Sequence, residues 1–444
     1  MAQVVRVAFL GGLGGVGRNC MAVEHDDRIL LIDCGQMFPG ADQDPYRVFL
    51  PDFSWLLENR TRVEAIVLTH GHEDHIGGIP HLNESISLPI YGSEFTLSLL
   101  KRKISGKRGS QQAKLMTVAD NERRRIGPFD VEFIPVTHSM PQTFAIAIHT
   151  PQGVILHSGD FKIDLNPIDN RRIDLARLGS LASNEGIRLL LLDSTNAEEP
   201  GYSVSESDIG RSLRSVFVEN RGRRITVTAF ASHIHRIQQI ADAAVGENRV
   251  IVPLGRTMML NIEMARDLGL LQIRDADLAD EQDLEQLPVD EVCILATGSQ
   301  GEPQSILARV AQDDLDTFRV GPKDTIVYSS DTIPGNEANV NETVEGLLRL
   351  GARVVHNGVA DVHTTGHAQE AELRTFINLT QPEFMVPIHG DYRMLQANAR
   401  NAMSMGIPER NVLVCEDGDV LQIDESGIRK VAVIPSKMVT VRNN

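Results

Sequence analysis

The chain has 444 residues, with 43 Lys or Arg against 60 Asp or Glu, for a formal net charge of −17. Hydrophobic content of 42% and charged content of 23% suit a folded globular protein, and the length points to two domains or one with a large insertion. The acidic balance disfavours a surface built for polyanions as a whole, and no apolar run reaches the ~18 residues that span a bilayer.

The first ten residues run into a Gly-rich loop and do not read as a signal peptide. Strands are expected at residues 4–10, 29–33, 65–69, 131–136, 144–149, 154–158 and 189–193, each apolar and bounded by Gly, Pro or Asp. Residues 11–17 mimic a dinucleotide-binding loop, but a hairpin through 21–25 and 29–33 follows where a helix is required. From about Val204 the rhythm becomes strand then helix, four times over: 225–229 and 235–244, 250–253 and 257–268, 292–297 and 304–311, 325–329 and 339–350. That alternation predicts a parallel sheet covered by helices. The acidic segment 280–287 reads as loop or short helix. After about Ala352, strand-and-loop patterns carrying ligand-type residues resume. The simplest organisation is one domain in two parts, 1–203 and 355–444, interrupted by an α/β domain at 204–354. Four scattered cysteines (20, 34, 293 and 415) without a Cys-x-x-Cys pair argue against a thiolate site or disulfide framework and fit a reducing cytoplasm.

The run Thr69-His70-Gly71-His72-Glu73-Asp74-His75-Ile76-Gly77-Gly78 places four metal-type ligands in six residues at the end of a strand. Imidazole nitrogens and a carboxylate suit zinc, and also manganese or iron. A strand ending in a tight turn aims such a set into one cavity. Three more candidates stand just past apolar runs: His138, Asp160 and His389. We assign His70, His72 and His138 to one cation and Asp74, His75 and His389 to another, with Asp160 bridging. Two such cations about 3.5–4 Å apart activate a shared water as hydroxide and stabilise both oxygens of an in-line phosphoryl displacement. Asp33 fits a carboxylate that orients a ligand or its loop. Ser194 lacks the Gly-x-Ser-x-Gly turn of a nucleophile. Basic clusters at 101–108, 123–125 and 221–224 read either as solvated faces or as part of a groove.

With these residues in place, the chain resembles the metallo-β-lactamase-fold hydrolases, through His-x-His-x-Asp-His, His138, Asp160 and His389. The inserted domain makes it similar to the β-CASP nucleases, and among these to bacterial ribonuclease J. The supporting strings are Asp193-Ser-Thr-Asn196, Phe230-Ala-Ser-His-Ile-His-Arg236, Thr297-Gly-Ser-Gln-Gly-Glu-Pro303, Ile333-Pro-Gly-Asn-Glu337, His363-Thr-Thr-Gly-His367 and Pro387-Ile-His-Gly-Asp-Tyr-Arg393. The resemblance implies an αββα sandwich with an inserted β-CASP α/β domain. It implies 5′-to-3′ exonuclease and endonuclease activity on single-stranded RNA with a 5′-monophosphate, in RNA maturation and decay in the cytoplasm. It implies two divalent ions, zinc first and manganese second. It gives Asp193 the role of orienting site histidines. His367 is to act at the scissile phosphate or leaving oxygen, alongside Asp74 among the catalytic residues. Among the substrate-binding residues, His363 and Thr365 are expected to contact phosphate, and Ser232, His235 and Arg236 to lie by the pocket that receives the 5′-monophosphate. The chain departs from the family pattern at Thr365, where Ser is usual, at His233, where Asn is usual, and at Gly15, where Glu is usual. Family members commonly continue into a small C-terminal domain not seen here. The homodimer or homotetramer is therefore expected to be weakened.

Three other readings stand beside the ribonuclease. A nuclease for DNA shares the site, because nothing in the sequence reads a 2′-hydroxyl. A thioester or lactone hydrolase shares the fold, but the inserted domain and the His363/His367 motif disfavour it. A non-catalytic RNA-binding scaffold is disfavoured by the full ligand set.

Overall fold

The computed structural model describes residues 4–38, 47–105, 113–302, 304–314, 318–332 and 336–442. Lys107 and Arg108 of the first basic cluster, Pro303, and residues 333–335 of the quoted strings lie outside them.

Two sheets are stacked face to face. One has eight strands, in the order Gly427–Val433, Asp419–Asp424, Val5–Gly11, Cys20–His25, Arg28–Ile32, Val63–Val67, Pro89–Gly92 and Lys114–Thr117. The other has six, ordered Phe384–Ile388, Ile187–Asp193, Gly153–His157, Phe144–Thr150, Phe129–Pro135 and Glu122–Ile126. Side-chain alternation explains the layering. In Ile187–Asp193, Leu189 and Leu191 face the space between the sheets, where they meet Val7, Leu30, Ile32, Val67 and Val386. Leu190 and Leu192 face the other way, onto Leu178 and Leu181 of helix Leu175–Asn184 and Leu373 and Phe376 of helix Glu370–Thr380. On the far side of the eight-stranded sheet, Ala22, Leu31 and Ile66 pack with Leu56, Ile79 and Leu100 of three helices. The result is the expected αββα sandwich.

The glycine-rich loop does lead into a hairpin, with Met21 opposite Ile32 and His25 opposite Arg28. The first 200 residues are rich in strands with a few helices between them. Glu94–Ser105 is one: it buries Phe95, Leu97, Leu99, Leu100 and Ile104. The basic run at 101–103 rides on its outer face. The acidic segment forms one 3-10 turn, Glu281–Asp283.

Chain from the end of Ile187–Asp193 crosses into a separate five-stranded parallel sheet, ordered Val250–Leu254, Val292–Ala296, Arg224–Thr228, Asp324–Tyr328 and Arg353–Val355. Its strands are apolar on both faces because helices cover both: Cys293 and Leu295 pack one way, Ile294 and Ala296 the other. The two crossings are tied together. The Val204 carbonyl accepts from Lys162 Nζ at 2.8 Å and from Thr364 Oγ1 at 2.9 Å. Buried Glu372 accepts from the backbone N–H of Ile163 and Ser203, and from the Ser203 hydroxyl.

The basic clusters are largely spent on local partners. Lys103 pairs with Glu73, and Arg102 donates to Asn261. Arg123 pairs with Asp130, Arg124 with Glu122, Arg221 with Glu247 and Arg224 with Asp324. Among the described residues of these clusters, such pairing fits faces that hold the fold together better than a groove.

Candidate metal centre

The site is assembled at strand ends, and Asp33 organises it. This residue follows Arg28–Ile32 and takes a left-handed backbone at φ 57°. Its buried carboxylate accepts from Thr69 N at 2.8 Å, Thr69 Oγ1 at 2.8 Å and His75 Nδ1 at 2.7 Å. The ligand run therefore hangs from a neighbouring strand end. Its second half is not a plain turn: His72 precedes a single helical turn, Glu73–Ile76. Gly35 lets the two segments touch, since a Cβ there would lie 1.6 Å from the Asp74 carbonyl oxygen.

Ring tautomers follow from the outer partners. Thr69 Oγ1 gives its proton to Asp33, so it must accept from His70 Nδ1, at 3.0 Å. His138 Nδ1 donates to the Gly366 carbonyl at 2.7 Å, and His75 Nδ1 to Asp33. Thr195 Oγ1 donates to Asp193 at 2.9 Å and so accepts from His389 Nδ1 at 2.7 Å. In each neutral ring the Nε2 lone pair is thereby turned inward, as ligating histidines require.

These inner atoms form two sets. His70 Nε2 and His138 Nε2 lie 3.0 and 3.2 Å from His72 Nδ1. Asp160 Oδ2 lies 3.6 Å from His70 Nε2 and 4.0 Å from His138 Nε2. In the second set, His75 Nε2 and His389 Nε2 lie 3.2 and 3.5 Å from the same Asp160 oxygen. They lie 3.5 and 3.2 Å from Asp74 Oδ2. A tetrahedral site with metal–nitrogen bonds of about 2.0–2.1 Å spaces its ligands about 3.3 Å apart. Ring nitrogens this close repel unless a proton or a metal cation lies between them. Each set holds four donor residues with their ligand atoms within 4.8 Å of one another. The donor chemistry and spacing therefore suit a dinuclear metal site.

Electrostatics differ between the two sets. Burial and neighbouring histidines hold His70 and His138 well below the usual imidazole range, and burial brings His72 down to about 4. These three rings are neutral and ligand-ready. Burial also opposes charge on His75 and His389, but the carboxylates outweigh it and raise both, His389 to about 9. For Asp74 and Asp160 burial is likewise outweighed, by the surrounding histidines, and both stay ionised.

Asp193 and His367 flank the second set. His367 Nδ1 is 2.7 Å from Asp193 Oδ2, and its ring lies 5.1 Å from His138 and 5.4 Å from His389. Thr365 Oγ1 accepts from Asn196 Nδ2 at 2.7 Å and from His367 N at 3.1 Å, leaving its own O–H to donate. Half-buried Ser232 lies just before helix Ile234–Gly246.

Packing overturns a direct substrate contact for Arg236 and gives His235 a protein partner. Arg236 presents no surface to a substrate. It is wholly buried, its Nη2 pairs with Glu206 at 2.6 Å, and its Nη1 donates to Ser329 Oγ, the Val362 carbonyl and His363 Nδ1. Buried His235 is bonded through Nε2 to Asp169 Oδ2 at 3.0 Å, across the seam between the two sheet systems. Because Arg236 can only donate, His363 must carry its proton on Nε2. Burial and the Arg236 charge bring His363 down to about 3.

Several residues were not anticipated. Asn19 Nδ2 bonds the Asp74 carbonyl at 3.1 Å and lies 3.1 Å from His75 Nε2, with no sequence signal beyond its place after the glycine loop. Thr195 and Asn196, beside Asp193, hold His389 and Thr365. Buried His157 accepts from Gly159 N through Nδ1, supporting the turn that carries Asp160.

Fold and site together define a metallo-hydrolase with a nucleic-acid-processing insertion. Residues 13–196 match the metallo-beta-lactamase superfamily, 222–347 the ribonuclease J beta-CASP domain, and 351–413 the Zn-dependent metallo-hydrolase RNA specificity domain. The chain is 41% identical over 415 residues to ribonuclease J of Mycolicibacterium smegmatis, covering 93% of this chain and 74% of that one. It is 39% identical to ribonuclease J of Synechocystis over 436 residues, covering 98% and 68%. A protein of unknown function from Enterococcus faecalis V583 shares the fold, with a TM-score of 0.67 at 18% identity over 94% of this chain and 99% of that one. The chain belongs to the ribonuclease J family and is a metal-dependent ribonuclease. Among the described residues no helix is long and apolar enough to cross a membrane.

Proposed function

We propose that the protein degrades single-stranded RNA from a 5′-monophosphate end, 5′ to 3′, and also cuts internally, in cytoplasmic RNA maturation and decay. His70, His72 and His138 would hold one divalent ion and Asp74, His75 and His389 the other, with Asp160 placed to serve both. Zinc is the expected ion, with manganese second. When bound, such a pair supplies Lewis acidity and lowers the pKa of water. We place the inserted domain at residues 204–354.

The chain's own groups perform the rest. Asp33, Thr69, Thr195 and Gly366 fix which ring nitrogen faces inward. Asp193 holds His367 with its Nε2 toward the scissile phosphate, where it donates to a phosphate or leaving oxygen. Ser232, Thr365 and His363 offer neutral O–H and N–H donors to the terminal phosphate. Arg236, behind His363, donates to His363 Nδ1 and so fixes which nitrogen of that ring carries the proton. Anchoring that phosphate sets its distance from the metals and so the polarity of digestion. The observation that carries the reading is the convergence of both donor sets on one oxygen, Asp160 Oδ2, beside the Asp193–His367 pair.

The test is a digestion panel of one sequence carrying a 5′-monophosphate, 5′-triphosphate or 5′-hydroxyl, with products resolved by length. Mononucleotides released first from the 5′-monophosphate end are expected. Equal rates on all three ends would refute the terminal-phosphate pocket.

A further inference from the structure

Strand Val439–Arg442 stands apart from the large sheets. It pairs antiparallel with Arg47–Leu50 in a sheet of two strands, with Thr440 opposite Phe49 and Val441 opposite Val48. Phe49 is bound on its other side, where its N–H and carbonyl exchange hydrogen bonds with Met37, both at 2.9 Å. Backbone groups alternate along a strand, so Val48 and Leu50 turn theirs the opposite way, to Val441 and Val439.

From Met37 the contacts run on to the metal ligands. Met37 packs on Gly17, where a Cβ would lie 2.9 Å from the Met37 Cβ; Gly17 holds φ 119°, which suits glycine. The preceding residue, Gln36, donates its backbone N–H to the Glu73 carbonyl at 3.0 Å and its Nε2–H to Glu73 Oε2 at 3.1 Å. Its own carbonyl accepts from Arg18 N at 3.2 Å. Glu73 stands between His72 and Asp74, one donor from each set. A series of backbone bonds therefore joins Val439–Arg442 to the turn that carries both sets.

A ribbon of two short strands is marginally stable alone. It gains from whatever fixes its inner end at Met37. The single helical turn Glu73–Ile76 is too short to hold itself, and gains from whatever fixes Glu73. Segments that stabilise each other along one path do so reciprocally: filling the metal centre tightens the strand by the same factor as the strand tightens the metal.

We propose that strand Val439–Arg442 is a strap that positions the ligand turn, so that its pairing with Arg47–Leu50 and metal binding strengthen each other. The proposal rests on the reading of His72 and Asp74 as metal ligands.

Proline substitution separates the two edges of the strap. Val441→Pro removes the N–H that faces Val48. Thr440→Pro removes one that faces away from Arg47–Leu50 and is the control, since the outer edge of a strand accepts proline. Zinc affinity of the full chain, read by competition with a chelator, is expected to fall about tenfold in Val441→Pro and to stay within about threefold in Thr440→Pro. Hydrogen exchange read by mass spectrometry should be faster at residues 47–50 in the first variant alone. A folded Val441→Pro with the zinc affinity of the parent overturns the proposal, as does an equal loss in both variants. Should Val441→Pro fail to fold, exchange in the parent decides, measured with zinc and after chelation. Zinc is then expected to slow exchange at 47–50 and 439–442 by at least about fivefold more than at Arg353–Val355, an edge strand of the inserted sheet. The same slowing at both places overturns the proposal. A parent that takes up no zinc removes the ligand reading instead, and the proposal falls with it.

Discussion

His367 Nδ1 sits 2.7 Å from Asp193 Oδ2, a contact between two motifs 174 residues apart in the chain. Asp193 ends the strand Ile187–Asp193, and His367 lies on the return crossing from the inserted sheet. Burial disfavours charge on His367, yet Asp193 outweighs it and raises its pKa. The carboxylate thus sets both the tautomer and the proton affinity of a histidine beside the metal ligands. Asp193→Asn is expected to lower kcat on RNA by about 10²-fold with a smaller change in KM, the scale of a lost acid or base. Steady-state kinetics check this, and a kcat within threefold of the parent would remove His367 from the chemistry.

The shared oxygen of Asp160 makes a sharper demand. Asp160→Ala is expected to weaken both ions, and His72→Ala to weaken chiefly one. Metal analysis after dialysis should therefore separate the two variants, with circular dichroism showing both folded. Cleavage should be lost in both. Equal, single-ion losses would show that Asp160 does not bridge.

Asp33 touches neither donor set's centre but holds His75 and Thr69. Removing such an outer partner typically weakens metal binding 10–100-fold. Competition with a chelator should show a loss of that size in Asp33→Ala. Unchanged metal affinity would confine Asp33 to loop structure.

Away from the site, Glu132 gives a pH test of the fold. It is 3% exposed on Phe129–Pro135 and accepts from Arg177 at 2.5 and 2.8 Å and from His149 at 3.1 Å. Burial would raise its pKa, but these partners outweigh it and bring it from 4.5 to about 2. A depressed carboxyl contributes its stability above the unfolded pKa and loses it as pH falls through the folded one. Glu132→Gln is expected to cost about 2–3 kcal/mol at neutral pH. The gap in urea midpoint should narrow as pH falls from 4.5 toward about 2. A gap constant over that range would contradict the assignment.

Much of this architecture is legible in the sequence because metal sites use strand ends. His138, Asp160 and His389 each follow an apolar run, and the alternating strand Ile187–Asp193 displays two buried faces in Leu189 to Leu192. Other features are set by tertiary packing and leave no local trace. Arg236 looks like a phosphate ligand in a motif, and only the fold brings Glu206, 30 residues away, to neutralise it. His235 is claimed by Asp169, which lies on the other side of the domain seam. Asn19 reaches Asp74 only because Gly35 allows two backbones to touch. The helical turn Glu73–Ile76 is hidden for a related reason: four residues carry too little periodicity to announce a helix.

RNA cleavage is expected to depend on two ions held by these seven residues. The most direct measurement follows bound metal and cleavage of 5′-monophosphorylated RNA in the same samples, through stepwise chelation and then re-addition of zinc or manganese, with DNA of the same sequence beside it. The expected result is about two ions per chain, cleavage that falls as they leave and returns with them, and RNA cut in preference to DNA. Full RNA cleavage by protein stripped of metal would contradict it.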